Sequence, residues 1–264
     1  MRPLSLALAL LCSVVPVMAE DLTIVSKVIH NGGTPETSVS YVASDHIRMS
    51  QGDGNEMIVD LKKGEMTRID TRKKTYYVVT RQDMDALAAR VKEQMNSPEM
   101  QKAQEAMKNM PPDQRKQMDA MMGSAMTFHA EKTGVTRKVA GYKCDEWLVT
   151  MGQMSRTEEC LTTEVQYPAL AWEAYRDYAQ KMQSSIAAMG PMAKSMTNAQ
   201  EEFKKMKGFP LAHKTTVDVM GHKSVTSSEV TEIKRGSIPA SAWEVPAGYT
   251  KVDNPMNKAL QQHK

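Results

Sequence analysis

Aromatic rings are scarce in this chain. Phenylalanine, tyrosine and tryptophan make up 5% of its 264 residues, so a core must be filled by Met, Ala, Leu and Val. Cysteine is scarcer still, at three residues, which excludes a disulfide-dense scaffold. No strong charge imbalance exists either: 34 basic residues stand against 31 acidic ones, a formal net charge of +3. A nucleic-acid surface would need a concentrated basic face, so nucleic acid is not an expected partner. Catalytic signatures are missing as well. There is no Gly-x-Ser-x-Gly elbow, no His-Glu-x-x-His, no phosphate loop and no dinucleotide fingerprint. Gly123-Ser124 runs into Ala125 and Met126, and the acidic residues are scattered without an evident acid–base pair. His30, His46, His213 and His222 stand alone, without metal-ligand spacing. Neither enzyme activity nor a cofactor or resident metal is expected.

The chain also lacks an apolar run long enough to cross a bilayer. Leu4 to Val17 holds about fourteen residues, against the roughly twenty a spanning helix needs. Arg2 precedes this run and Val17-Met18-Ala19 closes it in the pattern of a signal peptidase site. Residues 1–19 therefore read as a cleaved signal peptide, with Glu20 opening a periplasmic protein that has no transmembrane anchor. Cys12 follows Leu10 and Leu11 rather than the small residues of a lipoprotein signal, so lipidation is not expected. Removing Arg2 leaves 33 basic residues against 31, close to neutrality.

Export leaves Cys144 and Cys160 in an oxidising compartment, where two cysteines suggest one disulfide. Cys144 to Val149 and Ser155 to Val165 read as strands, with Gly152 midway between the cysteines. An antiparallel hairpin folded about Gly152 sets position 144 opposite position 160, which predicts a cross-strand bridge. A redox or metal pair is the alternative, but there is no Cys-x-x-Cys and no histidine cluster beside it.

What the chain has in abundance is methionine, 23 residues. The first block, Leu22 to Thr80, reads as an antiparallel meander. It is rich in β-branched residues, alternates at Val39, Tyr41 and Ala43, and turns at Asn31-Gly32-Gly33 and Lys62-Lys63-Gly64. The period then changes. Thr80-Arg81-Gln82-Asp83 has the form of an N-cap with an acidic third residue. Met84, Ala88, Val91 and Met95 follow at helical spacing. Pro98 and Pro111-Pro112 restart the helix, with stripes through Met100, Ala103, Met107 and Met110, then Met118, Met121 and Met122. A second β block spans Ala125 to Val165. A second helical region opens at Tyr167-Pro168 and carries Met182, Met189 and Met196. The last β block runs from Leu211 to Met220 and from Ser224 to Ile233. The organisation is one domain over residues 20–252, with helical insertions near 81–123 and 168–207 and a polar tail at 253–264. The class is α+β: an antiparallel open sheet whose apolar face is covered by Met-rich amphipathic helices.

Short strings carry a resemblance. Asp45-His46-Ile47-Arg48-Met49, Met57-Ile58-Val59-Asp60 and Lys74-Thr75-Tyr76-Tyr77 resemble the first strands of the periplasmic lipoprotein-carrier superfamily, LolA/LolB-like. Val139-Ala140-Gly141-Tyr142-Lys143-Cys144, Ile238-Pro239 and Val245-Pro246-Ala247-Gly248-Tyr249 resemble a bacterial family of exported proteins described only as a domain of unknown function. The resemblance covers most of residues 22–250. It implies a strongly bent half-barrel, with helices in its mouth as a lid and an apolar space beneath that holds acyl chains. It also implies that Arg48 points inward, holding the lid through backbone carbonyls or meeting a ligand headgroup. The alternative for Arg48 is a surface position on its strand.

The expected function is non-catalytic periplasmic binding of an apolar ligand: a lipid, an acyl chain or a lipoprotein tail. The candidate ligand-binding residues are Arg48, Met84, Met95, Met107, Met182, Met189 and Met196. Flexible, polarisable thioethers suit a cavity that adapts to varied apolar ligands, although the same stripes serve ordinary packing beneath amphipathic helices. The alternative is an envelope protein-interaction module. A third reading is Cu(I) binding through thioethers, at Met107/Met110, Met118/Met122/Met126 and Met189/Met192/Met196. Those spacings are also helical stripe spacings.

Overall fold

The computed structural model describes residues 20–50, 54–111, 113–114, 127–168, 198–199, 201–219 and 221–255. The N-terminal meander forms as its turns and alternation dictate: β1 (Leu22–His30), β2 (Glu36–Val42), β3 (His46–Ser50), β4 (Asn55–Asp60), β5 (Glu65–Asp70) and β6 (Thr75–Val79). Two helices follow, α1 (Arg81–Met95) and α2 (Pro98–Lys108). Thr80 caps α1 in a reciprocal box. Its hydroxyl accepts from the Asp83 N–H, and the Asp83 carboxylate accepts from the Thr80 N–H, satisfying two donors that the first turn would leave orphaned. The chain returns as β7 (Phe128–Val139), β8 (Tyr142–Met151) and β9 (Ser155–Thr162), then β10 (Phe209–Val219), β11 (His222–Arg235) and a short β12 (Thr250–Lys251).

The described strands make one sheet in the order β12-β6-β5-β4-β3-β2-β1-β11-β10-β9-β8-β7. Every pairing is antiparallel except β12 with β6. The β1–β11 ladder joins the N-terminal meander to the C-terminal one. The open antiparallel sheet is therefore present. It also curls. In a flat sheet, four strand spacings would hold β7 and β11 about 19 Å apart, yet Arg137 of β7 pairs with Glu229 of β11 at 2.9 Å. Irregularities at Val25/Ser26, Pro210/Ala212 and Lys132/Thr136 bend the ladders, as bulges do. The β7–β8 turn takes two residues at positive φ, Ala140 and Gly141, the geometry that matches strand twist in tight hairpins.

The main core packs Leu22, Val42, Val139, Phe209, Leu211 and Val230 around the disulfide. A second cluster gathers Ala130, Trp147, Val149 and Leu161, with Phe128 and Met206 against it. Helical residues 201–205 lie at the free edge of β7. There the Phe128 N–H donates to Asn198 Oδ1 and the Ala130 N–H to Glu202 Oε2, both at 2.9 Å.

The Cys144–Cys160 disulfide is formed, with Cα atoms 5.4 Å apart. Its register differs from the expected one. Cys160 stands opposite Glu146, and Met151 opposite Ser155. The turn is centred on Gln153, and Gly152 takes positive φ at the first loop position rather than the midpoint. The bridge therefore runs diagonally between residues on one face.

The expected cover of Met-rich helices is not established by the described residues. Helical residues 201–205 and Met206 meet the sheet's apolar face through Phe203 and Met206, while no residue of α1 or α2 is among the described lining of that face. Residues 1–19, most of 112–126, most of 168–200 and the tail beyond 255 lie outside the described residues.

Candidate functional site

Strand alternation divides the residues of β1, β2, β9, β10 and β11 between two faces. On one face the pairings line up Trp147, Glu159, His213, Ser228 and Val28 across five adjacent strands. The same face carries Ile24, Ser26, Ser38, Ser40 and Val42 from β1 and β2, and Ile47 and Met49 from β3. Tyr167, Phe203, Met206 and Phe209 add aromatic and thioether walls. All of these except Trp147 line an open groove of about 920 Å³, within the size range of ligand sites. Gly208 closes in on it tightly. A Cβ there would lie 2.6 Å from the Thr162 carbonyl oxygen, at a φ of +134° that side chains avoid.

The wall has a direction. Along β2 it runs from Val42 to Ser40 and Ser38. Along β11 it runs from Val230 to Ser228 and Thr226. On β9 Leu161 gives way to Glu159, and on β10 Leu211 gives way to His213. Glu159 and His213 face each other directly across the β9–β10 ladder. Burial, the sole cause in each case, pushes the Glu159 carboxyl up from its ordinary range and the His213 imidazole down. Both groups are thus driven toward their neutral forms, as desolvation does when no partner compensates.

The opposite face is polar. A smaller cavity of about 370 Å³ holds Lys27, Arg137 and Lys214 beside Glu146, Glu158 and Glu229. Arg137 bridges Glu146 and Glu229.

Arg48 stands on that opposite face, paired across the ladder with Tyr41, while its neighbours Ile47 and Met49 line the groove. Its guanidinium donates to the carbonyls of Ala242 (2.8 Å) and Glu244 (3.3 Å) and, from Nε, to Glu56 (3.0 Å). These carbonyls belong to the C-terminal segment and not to helices over the groove. Trp243 of that segment packs on His46, with ring centres 5.3 Å apart. His46 Nδ1 lies 2.8 Å from Asp45. Asp45 is held below the usual carboxylate range, first by its hydrogen bond from Lys62 and then by His46.

The methionine candidates fare unevenly. Met84 lies half-buried on α1 and is not among the groove residues. Met95 and Met107 fall on α1 and α2, but their side chains lie outside the described residues, as do Met182, Met189 and Met196 altogether. The candidate copper ligands Met118, Met122 and Met126 are outside as well. The thioethers that do line the groove, Met49 and Met206, are not among the ligand-binding candidates read from the sequence. Nor are Glu159 and His213, the latter read there only as a lone histidine; they lie 54 residues apart on strands whose pairing no local pattern announces. The available signal was the row of alternate serines, Ser26, Ser38 and Ser40, set among aliphatic residues. Among the described residues, no cluster of three or more His, Cys, Asp or Glu side chains is placed to hold a metal ion, and no helix is long and apolar enough to cross a membrane.

Fold and site define a large antiparallel sheet with an open, largely apolar groove on one face. The family model described as domain of unknown function (DUF4412) matches residues 41–249, and the chain belongs to that family. A search of curated proteins gives no match. Among solved structures the chain is similar to PNGF-II, with 12% identity over 92% of this chain and 32% of that one, at a TM-score of 0.37. It is similar to the MucA/MucB complex of Pseudomonas aeruginosa, with 13% identity over 88% of this chain and 56% of that one, at 0.34. It is also similar to a LolA superfamily protein from Nitrosomonas europaea, with 6% identity over 87% and 91%, at 0.17. The chain spans between a third and three-fifths of the length of the first solved structures it matches. The functional reading stands on the groove and not on these likenesses.

Proposed function

We propose that this protein is an exported, non-catalytic binding protein that takes the apolar chain of a lipid, fatty acid or lipoprotein into the groove. The observation that carries the reading is the groove itself: about 920 Å³, walled by Ile24, Val42, Ile47, Leu161, Phe209 and Leu211. Each buried methylene of an acyl chain contributes about 0.8 kcal/mol, so a long chain repays its own ordering. Adaptable thioethers from Met49 and Met206 suit chains of differing length.

The test is native mass spectrometry of protein prepared from the periplasm, with lipid extraction of the same sample. A bound species of lipid mass, displaced by added fatty alcohol or detergent, is the expected result. A clean protein mass with no uptake of added amphiphile overturns it. The second reading, capture of a protein partner, draws on Phe203, which is 50% exposed at the groove rim.

A further inference from the structure

The groove is amphipathic in a way that selects a headgroup. Along β2, β9, β10 and β11 the wall turns from aliphatic to hydroxylated or ionisable, and Ser228, His213 and Glu159 meet in register beside Val28 of β1, one step beyond Ser26 and Ser38. The only carboxyl group there, among the described residues, is that of Glu159; no Lys or Arg contributes to the described lining. The smaller cavity on the opposite face is different: Lys27, Arg137 and Lys214 line it with Glu146, Glu158 and Glu229, and Glu159 and His213 border it from their strands. An anionic head placed beside Glu159 would be buried in a site without a compensating cation, which is costly, whereas an ammonium head would stabilise the ionised carboxylate. Ser38 adds a direction. Its buried hydroxyl donates to the Ser50 carbonyl at 3.0 Å, so toward the groove it offers acceptor capacity.

We propose that the ligand is an amphiphile with a non-anionic, hydrogen-bond-donating head, best an ammonium, which pairs with Glu159 while its apolar chain lies over Leu161, Phe209 and Leu211. This rests on the groove reading above and sharpens it to a head chemistry and an orientation. His213, the neighbour an anion would need in protonated form, is driven by burial toward neutrality. It remains an acceptor or single donor beside the head.

The experiment uses the whole mature protein near neutral pH. Nile red, neutral and apolar, reports groove occupancy, and three matched probes compete with it: dodecylamine, dodecanol and dodecanoate. The expected order is amine, then alcohol, then carboxylate, with about tenfold between the first and last, the size of one charge-assisted hydrogen bond. In Glu159→Gln the gap between amine and carboxylate collapses to within about twofold. Tightest binding of dodecanoate, or a preference that survives Glu159→Gln, overturns the head assignment and leaves the groove reading standing. If Nile red and all three amphiphiles fail to bind, the groove reading falls and takes this inference with it. The head-group comparison on the unsubstituted protein decides the matter even if the variant folds poorly.

Discussion

Removing the Arg48 guanidinium strips two carbonyls and a carboxylate of their shared donor. Its side chain is 14% exposed and that of Glu56 23%, so water replaces it poorly. Hydrogen bonds to charged groups contribute about 1.5–3 kcal/mol each, and an orphaned buried partner costs more than the bond's net worth. Arg48→Met should therefore lose about 2–3 kcal/mol in urea unfolding. Because Arg48 stands on the face away from the groove, Nile red affinity should be unchanged. A drop in affinity with intact stability would put Arg48 back in a ligand role. Glu159 makes the opposite kind of prediction. Its folded-state pKa is raised by burial above the ordinary 4.5. Its contribution is complete below the ordinary value and is lost as pH rises through the raised one. Glu159→Gln does not titrate. The variant should match the parent at about pH 4 and be more stable at about pH 7, since the His213 penalty at acid pH is common to both. Equal urea midpoints across that window would show the carboxyl to be solvated or paired.

Between elements, the disulfide is the strongest single constraint. It closes a loop of 16 residues' separation between two cysteines that are each 1% exposed. Cys144→Ala with Cys160→Ala should cost about 3 kcal/mol by loop entropy, read from urea unfolding with and without reductant. Cys160 shares its face with Glu146 and Ala212, away from Glu159 and Leu161, so ligand affinity should survive the loss. The pairing was legible because a glycine turn between two strand-like runs brings both cysteines to one hairpin. Its register was not, because a shift of one residue at the loop changes no hydrophobic pattern nearby. The same contrast runs through the chain. Asn31-Gly32 and Lys62-Lys63-Gly64 fix local hairpins by backbone stereochemistry, and Thr80 with Asp83 fixes a helix start, so the meander and α1 could be read directly. The groove could not. Helical methionine spacing predicts an apolar stripe but not what it covers, and the described lining comes mostly from strand residues, with Tyr167, Phe203, Met206 and Gly208 added. Glu159 and His213 meet through the β9–β10 ladder, which forms across the long segment between Thr162 and Phe209.

The whole sheet makes the site. β1–β3 contribute one wall, β9 and β10 the other, and β11 lies between them because it pairs with β1 on one side and β10 on the other. Three stretches distant in sequence thus share one groove, which exists only when both meanders are joined. That dependence gives a test in which stability and binding separate. Ser26 sits mid-wall, opposite Ser38 on β2 and Val230 on β11. It faces the open space rather than the packed core. Ser26→Phe should fill the groove without displacing a packed neighbour, so the thermal midpoint should stay within a few degrees of the parent's, a shift worth about 1 kcal/mol or less at this size. Nile red and dodecylamine binding should fall at least about tenfold, since the ring occupies the volume that the chain would use. If binding persists at parental strength in a stably folded Ser26→Phe protein, the ligand does not enter between β2 and β11. Uptake would then have to occur on another surface, and the head-group assignment at Glu159 would fail with it.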